Sequence, residues 1–420
     1  MLPDMVPASL LTLLAAFSSL FTAPSFRTFC GLACGFLAQP GKRTVCGMLS
    51  GAGLSRCWPH DRAHWFFSRA RWNAGDVGLT AAVLVVSLLV PAGAPVDVAV
   101  DDTLFKRRGK RVWAASWFHD GSAPGPAKTG YGNNWVVLGI VVRLPVMSRP
   151  VGIPVMAKLV IKGSNSKSRL WLARRMAERL AAALPGRQVR VTADSAYAGG
   201  ELKGLSAGIS WTTRLRKDAA LHGLPPARTG KPGRPRVKGK RLASLAGLAA
   251  AAEFSQVTVT RYRKTETIEA AAVTCLWHSV FGSAPVAVVL VRDRPGRGFG
   301  IALVTPKPRQ VAIEASKQLF GAGQARNRTA AAVEAAIPFE IACQAIAVTW
   351  YATAGHAPGT VHERRRISPW HTTKAEPSTS DMIALLRRVL IAARFKQPRP
   401  DQPTCEELHA IRLAWEDAAA

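Results

Sequence analysis

Two stretches of alternating apolar sequence carry the residues able to do chemistry. Val96–Asp102 (VDVAVDD) runs into Asp101 and Asp102, and Val189–Asp194 (VRVTAD) runs into Asp194. Alternation at period two reads as a half-buried strand, so each carboxylate is expected at the carboxyl end of a strand. Two such strands in one sheet would set Asp101 and Asp194 side by side. Carboxylates that close repel each other unless a cation lies between them, and hard oxygen ligands suit a divalent metal ion. The chemistry would then be metal-assisted phosphodiester cleavage, where one ion generates the attacking hydroxide and a second steadies the leaving oxygen. The competing reading makes these aspartates turn formers or helix caps. Along the first strand Asp101 lies opposite the Val100 face, and Asp102 beside it stays open as the ligand. Five basic residues follow at once between Lys106 and Arg111, and they are expected to face the polyanion whose phosphate is attacked.

The whole chain supports that direction. Its 420 residues carry a formal charge of +30 together with 48% hydrophobic residues, which pairs a polyanion-seeking surface with a core too large for a ribosomal or histone-like protein. Seven cysteines without regular spacing argue against a disulfide framework and for a reducing cytoplasm. The intervals between Cys30, Cys34, Cys46 and Cys57 match no usual zinc spacing, and these cysteines are read as small apolar helix residues. The histidines are likewise read as lacking a metal-binding spacing, which disfavours a zinc hydrolase. No phosphate-binding Walker sequence and no GxGxxG run is present. The apolar run Leu79–Pro91 is too short to span a bilayer, and the N-terminal apolar stretch lacks the positive flank of a signal peptide, so no membrane partner is expected.

The elements that must position the aspartates follow from the hydrophobic period. Residues 1–90 read as helical, with aromatics and arginines gathered in His64–Trp72 (HWFFSRARW). A run of strands follows, at VDVAVDD, RVWAASWF, NWVVLGIVVRLP and VGIPVMAKLVIKG. An amphipathic helix, Ser168 to Leu184, is capped by serine at its start and closed by Pro185-Gly186, and leads into the Asp194 strand. Residues 205–305 alternate strands with a basic Pro/Gly loop, Arg228–Arg241 (RTGKPGRPRVKGKR). That loop cannot bury itself. From Pro308 the chain is mainly helical.

Together VAVDDTLFKRRGK, VTADSAYAGG, GQARNRT and PSTSDMIALLRRVLI resemble the DDE-superfamily transposases of bacterial insertion sequences, the group with a Tyr-Arg-Glu-Lys signature. The resemblance extends along nearly the whole chain. It implies an α/β fold with a ribonuclease-H-like catalytic core and a β-rich insertion, flanked by helical N- and C-terminal parts. The divisions expected are 1–90 for a helical DNA-binding and dimerisation domain, 91–204 for the first part of the core, 205–305 for the insertion and 306–420 for core completion and the C-terminal helices. It further implies cleavage of transposon ends and strand transfer with Mg²⁺ or Mn²⁺, two ions in all, held by Asp101, Asp194 and a glutamate. The chain departs from the family at that glutamate: if Lys317 is the signature lysine, the expected position holds Gln310. Glu314, one helical turn on, is the nearby carboxylate that could serve. A catalytically impaired, transposase-derived DNA-binding protein is the alternative.

The expected partner is double-stranded DNA, bound by a homodimer in the nucleoid-bearing cytoplasm. Gly233-Arg234-Pro235 has the form of a segment that lies in an A·T-rich minor groove, and Arg234 and Arg236 are assigned to DNA. Lys317, Arg326 and Arg328 are assigned to phosphates near the metals.

Overall fold

Helix starts in the N-terminal part are set by local chemistry. Pro24 stands in the first turn of α2 (Ala23–Ala38), where its missing N–H would have had no intrahelical partner. The side chain of Thr44 accepts from Gly47 N at the start of α3 (Val45–Gly51), and Asn73 Oδ1 accepts from Gly75 N and Asp76 N at the start of α5 (Ala74–Leu89). With α1 (Ala8–Ala15) and α4 (His60–Ser68), these helices make up most of residues 6–90. Gly35 allows α2 and α3 to touch, because a Cβ there would lie 1.8 Å from Met48 O. The structure is a computed structural model. It describes residues 6–292 except 110, 122, 124–125, 164–165, 228–234 and 262–263, then 327–394 except 358, 368–369 and 371–373, and a few positions from 405 to 413.

The chain divides into two compact units, one comprising residues 1–96, 102–166 and 308–420 and the other 97–101 and 167–307. In the first unit the central element is α9 (Ala330–Trp350), buried along nearly all its length. It is long and apolar enough to cross a membrane, but 89% of that stretch is buried inside the protein, which makes it a core helix. The Phe339 ring meets Phe29, Phe36, Phe66 and Phe67 edge-on at 5.2–6.1 Å, the geometry aromatic quadrupoles prefer. The aromatics of HWFFSRARW are therefore largely core, Trp65 excepted, which stays exposed. On another side α9 gives Val333, Ile337 and Ile341 to a cluster with Phe105, Trp135, Val137, Ala157 and Leu159. Two further helices, α10 (Thr360–Ile367) and α11 (Thr379–Arg394), complete this unit.

The strands are β1 (Val96–Lys106), β2 (Ser116–His119), β3 (Thr129–Val142), β4 (Val151–Leu159), β5 (Val189–Ala193) and β6 (Ile209–Thr213). Their hydrogen-bonded order is β2-β3-β1-β5-β6, with β4 also paired to β3. Strands β2, β3 and β4 form an antiparallel meander, whereas β5 and β6 run parallel. Between β4 and β5 lies α6 (Arg169–Ala183), capped as expected by Ser168, whose Oγ accepts from Trp171 N at 2.9 Å. A mixed sheet with a meander on one side of β1 and parallel strands on the other has the strand order of a ribonuclease-H-like core. The second unit also carries α7 (Leu245–Ala251), α8 (His278–Phe281) and a separate antiparallel sheet of β7 (Ser255–Arg261), β8 (Lys264–Leu276) and β9 (Pro285–Arg292) in the order β7-β8-β9.

Two expectations need correction. The segment RVWAASWF is strand only from Ser116, because Ala114 takes φ +54° and breaks the extended run. The strand β1 does not end at the aspartates; it continues to Lys106, so Asp101 and Asp102 lie in mid-strand.

Candidate active site

Alternation along β1 places Asp97 and Asp101 on one face and Asp102 on the other. Both assignments are anchored by contacts. Asp97 receives Arg190 of β5 in a two-pronged ion pair, Nε to Oδ1 at 2.7 Å and Nη2 to Oδ2 at 3.0 Å. Asp102 Oδ2 accepts from Asn134 Nδ2 of β3 at 3.0 Å. Asn134 and Trp135 are buried.

Asp194 follows the last residue of β5 directly and caps a single 3₁₀ turn, Ser195–Tyr197, with Oδ1 accepting from Ala196 N at 3.0 Å. The turn is tied to β6 at two points: Thr213 Oγ1 donates to Asp194 O at 2.6 Å, and Trp211 Nε1 donates to Tyr197 O at 3.1 Å. Tyr197 is fully buried, so the backbone carrying Asp194 is held by a packed ring and a side-chain bond. Asp194 is thus both a cap and a candidate ligand. Its Oδ2 makes no hydrogen bond among the described residues. The structure therefore places Asp101 on β1 and Asp194 directly after the end of the neighbouring strand β5.

Part of the basic run after β1 is engaged within the protein, while Arg108 and Arg111 are exposed. Lys106 Nζ pairs with Asp120 Oδ2 at 2.9 Å. Arg107 Nε donates to Asn133 Oδ1 at 2.9 Å, and Asn133 Nδ2 donates to Trp113 O. Burial lowers the Arg107 pKa from its ordinary value, and the charge of Glu340 on α9 acts against that shift. These two residues brace the turn after β1, which corrects the expectation that the whole cluster meets a polyanion.

The other predicted residues divide sharply. Glu314, Gln310, Lys317, Arg234 and Arg326 lie outside the described residues. Arg328 is exposed just before the Thr329 N-cap of α9, and its carbonyl accepts from Trp113 N at 2.9 Å. Arg236 and Lys238 are exposed. Their loop springs from a short backbone ladder in which Gly223 N bonds Lys240 O at 2.9 Å and Gly239 N bonds Gly223 O at 3.0 Å. Sequence reasoning did not bring one cluster together. Cys46, His60 and His64 converge at the surface, and the signal was present as a His-x₃-His interval within HDRAH.

Comparison with known proteins fits this geometry. Residues 16–281, more than half of the chain, match the family described as DDE superfamily endonuclease. No curated protein matches. Among solved structures, the cryo-EM structure of a piggyBac transposase synaptic complex with hairpin DNA aligns over 99% of this chain and 82% of that one, at 12% identity and a TM-score of 0.35; a likeness that loose bears on neither fold nor function. It is the match over residues 16–281 that assigns the family, and this chain belongs to the DDE superfamily endonucleases.

Proposed function

We propose that the chain is a DNA transposase of the bacterial insertion-sequence type, cleaving transposon ends and joining them to target DNA. The observation that carries this reading is that Asp101 lies in β1 and Asp194 directly follows the end of the adjacent strand β5. Each lies four residues beyond a member of the Asp97–Arg190 ion pair. In a parallel pairing of β1 and β5, as a ribonuclease-H-like order requires, equal offsets bring the two carboxylates abreast on one face.

The donor set suits Mg²⁺ or Mn²⁺: Asp194 offers an oxygen that makes no hydrogen bond among the described residues, Asp101 is half-buried, and both are hard ligands. Asp101, Asp194 and, from the third position, Glu314 would hold the ions. When bound, such ions supply an activated water and charge neutralisation at the leaving oxygen. The chain's own part is positioning: Thr213 and Tyr197 fix the Asp194 backbone, Arg190 ties β5 to β1, and exposed Arg236 and Arg328 contact phosphates, joined by Arg234, Lys317 and Arg326. A homodimer acting on duplex DNA in the cytoplasm completes the proposal. Gln310, at the place of the family's glutamate, supports the second reading of an impaired, DNA-binding copy.

The test is nicking of a plasmid bearing the element ends with Mg²⁺ or Mn²⁺, comparing the natural chain with Asp101→Asn and Asp194→Asn. Loss of nicking with retained duplex binding in both variants supports the reading; unchanged nicking in either removes that residue from the site.

A further inference from the structure

The cluster of Cys46, His60 and His64 plays no part in the proposed reaction. His60 and His64 stand one turn apart on the same face of α4, and Cys46 sits in the first turn of α3. Cys46 Sγ lies 3.4 Å from His60 Nε2, and His60 Nε2 lies 3.1 Å from His64 Nε2. All three ligand atoms fall within 4.8 Å of one another. Zinc bonds of about 2.3 Å to sulfur and about 2.0–2.1 Å to nitrogen place tetrahedral ligand atoms roughly 3.3–3.6 Å apart, so two of the three separations are already close to those of a ligated set. On its far side His60 Nδ1 faces Asp61 Oδ1 at 3.4 Å, the carboxylate–histidine arrangement that orients a metal-binding imidazole. Thiol plus imidazole is a borderline-soft set that selects zinc-like ions over Mg²⁺.

The remaining cysteines sharpen the choice. Cys30, Cys34, Cys275 and Cys343 are buried, and burial pushes the Cys30 thiol up to about 12, so it does not ionise to a ligand. Cys46 is exposed.

We propose that Cys46, His60 and His64 bind one transition-metal ion of the zinc class, with water as fourth ligand, clipping α3 to α4. Binding releases the Cys46 thiol proton to solvent and leaves a thiolate on the metal. This site is independent of the proposed reaction, and it runs against the sequence-based expectation that these cysteines and histidines hold no metal.

The experiment uses the untagged full chain, stripped with chelator and titrated with Co²⁺ in excess Mg²⁺, which occupies hard oxygen sites. The expected result is one equivalent bound with a thiolate-to-cobalt charge-transfer band that Zn²⁺ abolishes by displacement. Cys46→Ser removes the band, His60→Ala and His64→Ala weaken binding on the order of tenfold or more, and Cys57→Ser leaves it unchanged. Absence of the band in the natural chain, its survival in Cys46→Ser, or its loss in Cys57→Ser overturns the assignment. X-ray absorption on the zinc-loaded natural chain decides the matter without any variant: one sulfur and two imidazoles support the site, and an all-oxygen shell refutes it.

Discussion

Arg190 grips Asp97 through two parallel bonds of 2.7 and 3.0 Å, one residue on β5 and the other on β1. The pair fixes which residues of the two strands share a face. Both side chains are 49% exposed, so water screens the attraction and the coupling should be only about 0.5 kcal/mol. A double-mutant cycle with Asp97→Ala and Arg190→Ala, followed by urea unfolding, measures it. Plasmid nicking should fall by more than stability does, because catalysis is sensitive to placement of the carboxylates.

Asp102 separates structure from catalysis. Its bond to the buried Asn134 amide is internal, and Asn134 Oδ1 already lacks a partner among the described residues. Asp102→Leu would strand the amide as well, at a cost of about 1–3 kcal/mol. Nicking per folded molecule should persist in Asp102→Leu and vanish in Asp101→Asn. The reverse outcome would move the metal ligand to Asp102.

Acid should unfasten α11. Ser378 N and Oγ both donate to Asp381 Oδ2 at 2.6 Å, Asp381 N donates to the backbone carbonyl of Ser378, and Lys374 pairs with the same carboxylate, which is the carboxylate half of a capping box with an added cation. Burial raises the Asp381 pKa, but the bonds from Lys374 and Ser378 outweigh it and the net shift is downward from 3.8. A depressed carboxylate contributes stability above its unfolded pKa and loses it as pH falls through the folded value. The urea midpoint should therefore drop below pH 4 in the natural chain more than in Asp381→Asn, and Asp381→Ala should cost about 1–2 kcal/mol at pH 7.

Duplex affinity should fall steeply with salt, since a chain of charge +30 releases counterions on binding. Gly239 is the point at which to perturb the basic loop, because a Cβ there would lie 2.5 Å from Leu224 O. Gly239→Ala should open the ladder and weaken binding, measured by fluorescence anisotropy. A salt-independent affinity in the natural chain would remove the polyanion argument.

The third carboxylate is tested by excision of the element with Glu314→Gln and Gln310→Glu. In the helix expected from the sequence, a one-turn displacement is about 5 to 6 Å of rise, so weak or absent strand transfer is expected from the natural chain. Robust excision that Glu314→Gln eliminates would show that Glu314 completes the set. Excision gained only in Gln310→Glu would place the ligand at the family position.

Much of this protein was legible as local pattern. Period-two alternation marked β1 and β5 and put Asp101 and Asp194 on strands, serine and the Pro-Gly pair bounded α6, and the Pro/Gly-rich basic loop declared itself unable to pack. These are properties of neighbouring residues, which sequence reports directly. Pairing is not local. That β1 runs on to Lys106, that Lys106 and Arg107 are spent on Asp120 and Asn133, and that Asp102 turns to Asn134 all depend on which strand lies beside β1. The Cys46–His60–His64 cluster was half visible, since one helical turn separates the two histidines, but α3 had to fold back against α4 to bring the thiol to them. Only tertiary packing, set here by a glycine that lets two helix backbones touch and by a phenylalanine ringed by four others, decides such distances.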